Sequence, residues 1–164
     1  MIYGFNAGEV FKIAVELEEN GRVFYEQAAA GTSEAEVRAV FEELGREEVK
    51  HKARFQELSA RLPAAATGST VWDPQNEIDQ YLKMMADLHV FRRGPGLEAQ
   101  ADWAGSAEDA LKLAIQFEKD SIVFFAQMQA LAENQEARND LGQLVKEEQE
   151  HLRKLSLQLV RLKK

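Results

Sequence analysis

Apolar residues in the first third of the chain recur at alternating spacings of four and three: Val37, Phe41 and Leu44, then Phe55, Leu58 and Leu62. That period predicts an amphipathic helix, and the two positions missing from its stripe are Glu48 and His51. The same register recurs near the end as Ala137, Leu141, Leu144, Glu148, His151, Leu155, Gln158 and Leu162. Two further stripes precede these, one of Phe11, Ala14, Glu18, Gly21, Tyr25 and Ala28, the other of Leu111, Ala114, Glu118, Ser121, Phe125 and Met128. In all four, an ionisable residue occupies a place that faces the same interior as its apolar neighbours.

Capping and breaking residues set the expected boundaries. Asn6 with Glu9 makes a capping-box-like pair that opens a first helix, which runs to about Ala30 before Gly31; Ser106 with Asp109 stands at the same offset for the third. A second helix is expected from Ser33, with Glu36 three residues on, to Leu62 ahead of Pro63, and a fourth from about Asn134 to the C-terminus. Residues 63–105 hold all three prolines and read as a long crossover, with a short helix from Glu77 to Phe91 ended by Gly94 and Pro95. The expectation is an all-α four-helix bundle of two helical hairpins.

The two hairpins are copies of one another. Residues 10–62 pair with 110–162 without a gap and are identical at 15 of 53 positions, including Lys12/Lys112, Ala14/Ala114, Val23/Val123, Phe24/Phe124, Leu44/Leu144 and Glu47/Glu147. Such agreement indicates an internal repeat, 6–62 and 106–162, in which neither helix pair can bury its apolar face alone. With 164 residues the whole of 1–164 is expected to form one domain, burying about 70% of its unfolded surface.

A net charge of −8 and a pI near 5.0 argue against nucleic-acid or anionic-membrane binding, and Arg161, Lys163 and Lys164 at the end suit a helix C-terminus. Without cysteine the sequence excludes disulfides, Cys-ligated zinc and iron–sulfur centres in this chain. No basic segment leads into an apolar core at the start, and no run approaches a membrane span, so a cytoplasmic protein is expected.

Glu18, Glu48 and His51 recur as Glu118, Glu148 and His151, 100 positions on. Four carboxylates converging in a bundle core would face desolvation and mutual repulsion of order tens of kcal/mol unless something positive joined them. Two divalent cations would balance four Glu⁻, and two neutral imidazoles would add a nitrogen each. The i, i+3 spacing in each Glu-x-x-His sets both side chains on one helix face. One such motif is weak, because a solvated charged face produces it readily; two, each 30 residues after a glutamate set in an apolar stripe, are not. Tyr25, two turns beyond Glu18, either donates its hydroxyl to a ligand carboxylate or is a core aromatic satisfied elsewhere; Phe125 replaces it in the second half. Glu47 and Glu147 fall beside the stripes, in solvent or supporting the ligands. Surface roles are expected for Glu16, Glu19, Glu42 and Glu43, for Arg22 in a helix salt bridge, and for His89 on the crossover helix, with Trp72 and Trp103 as packing anchors.

The segments AVELEENGRVFYEQ, EEVKH, ALKLAIQFEKDSIVFF and EEQEH resemble the rubrerythrin branch of the ferritin-like superfamily, whose helices carry Glu, Glu-x-x-His, Glu, Glu-x-x-His in that order. The resemblance implies a ferritin-like bundle with a left-handed crossover and a non-haem di-iron centre that reacts with hydrogen peroxide or oxygen. It implies that Glu18, Glu48, His51, Glu118, Glu148 and His151 are the metal ligands and form the catalytic centre, with Glu48 and Glu148 bridging. Two-domain rubrerythrins add a cysteine-bearing rubredoxin domain that this sequence lacks, so a separate electron-donor protein is expected. They also carry an extra carboxylate three residues after the third-helix glutamate, where this chain has Ser121, which leaves a more symmetric centre of the bacterioferritin kind. The reading is a di-iron oxidoreductase reducing hydrogen peroxide or oxygen, or oxidising Fe(II), as a homodimer rather than a shell. Its alternatives are an iron-binding, storage or sensing protein and a structural metal-binding bundle. Glu/His ligands accept Mn or Zn as well as Fe.

Overall fold

The computed structural model describes residues 7–62, 80, 81, 84, 89, 106–132 and 134–164. Four helices account for nearly all of them: α1 Ala7–Gly31, α2 Ala35–Ala60, α3 Ala107–Leu131 and α4 Gln135–Leu162. No strand occurs among the described residues. The expected crossover and its expected short helix, Trp72, Trp103 and the expected cap at Asn6 lie outside them, apart from isolated positions.

Local chemistry explains the helix ends. Ser106 accepts from Asp109 N at 3.1 Å and Asn134 from Ala137 N at 2.7 Å, each satisfying one amide that the first turn leaves unpaired. The start of α2 departs from expectation, because Glu34 and not Ser33 is its cap residue and its side chain makes no capping bond. Thr32 is the cause: its Oγ1 accepts from Glu34 N at 3.3 Å, so the chain is still turning at Ser33. Arg38 closes this turn by donating to Thr32 O at 2.7 Å, and its repeat partner Arg138 does the same to Ala132 O at 2.9 Å. Α2 ends at Ala60, two residues before the expected Leu62.

Short turns make α1/α2 and α3/α4 antiparallel hairpins, and the hairpins join by packing α1 on α3 and α2 on α4. Their stripes form two apolar clusters. Phe11, Leu17, Phe55, Phe124, Phe125 and Leu144 anchor one; Phe24, Tyr25, Phe41, Leu44, Phe117 and Leu155 anchor the other. Burying each large side chain contributes about 1.5–3 kcal/mol, and the aromatic pairs add contacts such as Phe55–Phe125, with centroids 4.7 Å apart. Between the clusters lies the polar layer made by the interrupted stripes. Among the described residues no helix is long and apolar enough to cross a membrane.

Candidate metal centre

Each helix contributes the residue that broke its stripe. Glu18 comes from α1, Glu48 and His51 from α2, Glu118 from α3, and Glu148 and His151 from α4, all buried. One ligand atom from each of Glu48, His51, Glu148 and His151 lies within 4.8 Å of the other three, a grouping able to hold a metal ion. The remaining glutamates close on it: His51 Nδ1 is 3.5 Å from Glu18 Oε2, and His151 Nδ1 is 3.6 Å from Glu118 Oε1.

The pairing is crosswise. His51 Nδ1 meets Glu18 of its own hairpin and Glu148 Oε1 of the other at 2.8 Å, while His151 Nδ1 meets Glu118 of its own hairpin and Glu48 Oε1 of the other at 3.7 Å. Glu148 also reaches His151 Nδ1, at 3.0 Å through its second oxygen, and so spans both imidazoles. The rings stack at 5.3 Å and 16°, both Nδ1 atoms turned inward. Neither hairpin alone assembles a complete half of this arrangement.

Nine buried side-chain atoms here lack a hydrogen-bond partner among the described residues: both oxygens of Glu18, Glu48 and Glu148, Oε2 of Glu118, and Nδ1 of His51 and His151. Leaving such atoms unpaired in a dry interior costs about 1–3 kcal/mol each. All nine are metal-ligand atom types, and all belong to the six residues at the centre. A pair of divalent cations fits this donor set in charge and in chemistry.

Without metal, protons take that compensating role. Burial, then the neighbouring Glu148 and Glu118 charges, lifts Glu18 well above the usual carboxylate range; burial and Glu18 do the same to Glu48. Burial and the Glu148 charge raise Glu118 to about 8. Glu148 is the exception, because burial pushes it up but the two imidazoles outweigh burial and hold it below the usual range. Burial works against charge on both histidines, yet Glu148 for His51, and Glu118 with Glu148 for His151, raise them to about 10.

Tyr25 is fully buried and donates its hydroxyl to Glu118 Oε1, a ligand-candidate carboxylate on the other hairpin. Burial and the Glu118 charge keep the phenol protonated, so the donor is permanent. Arg22 pairs with Glu19 and Glu26 at the surface and not with Glu18. Gly21 is a point of close approach: a Cβ there would stand 2.5 Å from Phe117 Cζ and 3.3 Å from Glu48 Oε2.

His89 corrects the expectation of a surface position. It is buried, its Nε2 lies 3.1 Å from Ser121 Oγ, and its ring meets the Phe117 edge at 5.4 Å. Burial drives its pKa down to about 4, so the imidazole is neutral near pH 7. Ser121, a hydroxyl in an apolar stripe, was the sequence signal that a polar partner had to arrive from elsewhere. Sequence spacing also left the role of Glu147 open: its Oε2 is 3.1 Å from His51 Nε2.

A helical bundle with four glutamates and two histidines at its centre has the arrangement of ferritin-like proteins with a dinuclear carboxylate site. The rubrerythrin family model matches residues 9–159, and the chain belongs to the rubrerythrin family. A crystal structure of a Thermotoga maritima protein, described as a candidate ferritin-like diiron-carboxylate protein, is similar over 100% of both chains with a TM-score of 0.74. At 21% identity that likeness speaks for the fold. No curated protein sequence matches.

Proposed function

We propose that the protein is a di-iron oxidoreductase that reduces hydrogen peroxide or dioxygen, or oxidises Fe(II), with Glu18, Glu48, His51, Glu118, Glu148 and His151 as the metal ligands. The observation that carries this is the set of nine buried ligand atoms, confined to those six residues, that face one another without a well-formed hydrogen bond. Bound there, two irons would supply the two electrons that either oxidant takes up. The chain's part is to balance charge, four carboxylates against two divalent ions, and to hold both Nδ1 atoms inward. Glu148, already spanning both histidines, suits a bridging carboxylate; Glu48 is its repeat partner. Tyr25 fixes Glu118 through a proton it does not release. The apolar clusters on either side keep bulk water from the centre.

In this reading a separate protein supplies the electrons. The protein acts in the cytoplasm, as a homodimer.

Anaerobic loading with Fe(II), a metal count, and then addition of peroxide or air test the proposal. Two irons per chain and stoichiometric consumption of one oxidant are expected. A loaded protein that consumes neither would overturn the enzymatic reading, many irons per chain would indicate storage, and tight zinc in the native protein would indicate a structural bundle.

A further inference from the structure

The six central residues repeat faithfully, but the residues behind the histidines do not. Glu147 Oε2 lies 3.1 Å from His51 Nε2, on the ring edge opposite the centre. That carboxylate is itself held: Arg54 Nη1 donates to Oε2 at 2.9 Å and Gln143 Nε2 to Oε1 at 2.9 Å. Its repeat partner Glu47 has nearly the same exposure, 31% against 29%, so burial does not distinguish them. Yet Glu47 pairs with Lys50 at 2.7 Å, and among the described residues it makes no hydrogen bond to His151.

Residue types explain the difference. Where Gln143 donates to Glu147, the repeat has Glu43, which cannot donate and carries like charge. Where Arg54 reaches across to Glu147, the repeat has Lys154, which goes to Glu43 at 2.8 Å. Lys50 pairs with Glu47 at 2.7 Å; the corresponding Glu150 pairs with Arg153 and not with Glu147. Three substitutions between the halves therefore brace one histidine and release the other.

We infer that Glu147 is a positioning residue for His51 and that its lack of a counterpart makes the two metal positions unequal. A carboxylate behind a ligating imidazole fixes its ring and tautomer, leaving Nδ1 as the lone-pair nitrogen, and raises its basicity; losing such a partner costs roughly 10–100-fold in metal affinity. The position served by His51 and Glu18 fills first and holds its ion more tightly. The position served by His151 and Glu118 fills second and exchanges faster.

This rests on the proposed dinuclear site, and a cobalt(II) titration of the apo-protein, followed by absorbance and calorimetry, tests both separately. Two resolved binding steps are expected. Glu147→Gln should weaken the first by roughly 10–100-fold and merge it with the second, while Glu47→Gln leaves the first within about twofold. Gln143→Glu, an exposed change that keeps Glu147 but turns its donor into a like charge, should weaken the first step in the same direction and serves if Glu147→Gln does not fold. The second step should be unmoved in Gln143→Glu, because a merely structural loss would weaken both steps together. Two equal steps in the unmodified protein, or equal losses from Glu147→Gln and Glu47→Gln, overturn the inequality alone. Failure to bind cobalt overturns the metal reading itself.

Discussion

Removing metal should make the protein's stability fall as pH rises through neutrality. In the metal-free fold Glu118 has its pKa raised from 4.5 to about 8, and His51 and His151 from 6.5 to about 10. A raised pKa means the folded state holds a proton that the unfolded chain has given up. The Glu118 contribution is thus fully present below 4.5 and lost as pH climbs through 8, and the histidine contributions are present below 6.5 and lost on the way to 10. Glu148, held low, acts in the opposite direction only in acid, where its stabilisation disappears as pH falls through its folded value. Taking one net proton as the minimum difference, stability declines by about 1.4 kcal/mol per pH unit. A chain of this size loses about 2–4 °C in Tm per kcal/mol, so about 3–6 °C per pH unit is expected. Metal loading replaces those protons with cations, and free metal at 1,000 times Kd would add about 4 kcal/mol, or about 8–16 °C. Circular-dichroism melts of chelated and loaded protein across pH 6.5–8.5 read both effects. The gap should widen with pH; a metal-free Tm that is flat or rising over that window would refute the account of protons standing in for metal.

Tyr25→Phe removes the hydroxyl that donates to Glu118 Oε1 and should cost the apo-protein about 1–3 kcal/mol by thermal melting; an unchanged Tm would show that the hydroxyl does not support the ligand. Gly21→Ala gains about 1 kcal/mol of helix propensity but overpacks against the Phe117 ring, a cost of about 1–3 kcal/mol. Phe117→Leu should relieve that cost in a double-mutant cycle, and additive effects would sink the steric explanation. His89→Ala should cost about 1–3 kcal/mol by leaving the Ser121 hydroxyl without its ring nitrogen, and Ser121→Ala should cost less in that background than alone. No coupling between the two would mean the contact carries no energy.

The bundle and its polar layer were legible because both depend on periodicity. A helix presents every third or fourth residue to one face, so an ionisable residue within an apolar stripe had nowhere to go but the interior. Glu18, Glu48, His51, Glu118, Glu148 and His151 all follow that rule and all meet. His89 obeys no such rule. It comes from a segment without a clear stripe, and its burial depends on a contact with Ser121, 32 residues away. The start of α2 was missed for a local reason, since Ser33 and Thr32 both suit the end of a turn and only the Thr32 hydroxyl bond to Glu34 decides between them.

Glu147 shows why the outer layer of the centre was harder to read than the inner one. Its place beside the stripe left solvent and support of the ligands both open, and the bond it makes crosses to His51 on α2. The repeat permits the cross, since each hairpin carries a glutamate beside its Glu-x-x-His, but among the described residues only Glu147 makes the bond to the other hairpin's histidine. Once the halves are joined, selection on a complete centre no longer requires both outer layers to match. Arg54 and Lys154, Gln143 and Glu43, and Lys50 and Glu150 have diverged while the six central residues have not. A symmetric donor set with an asymmetric support can present two ions of different affinity to one oxidant, with one retained and the other free to exchange. Symmetry of the central residues therefore does not imply equivalence of the metals.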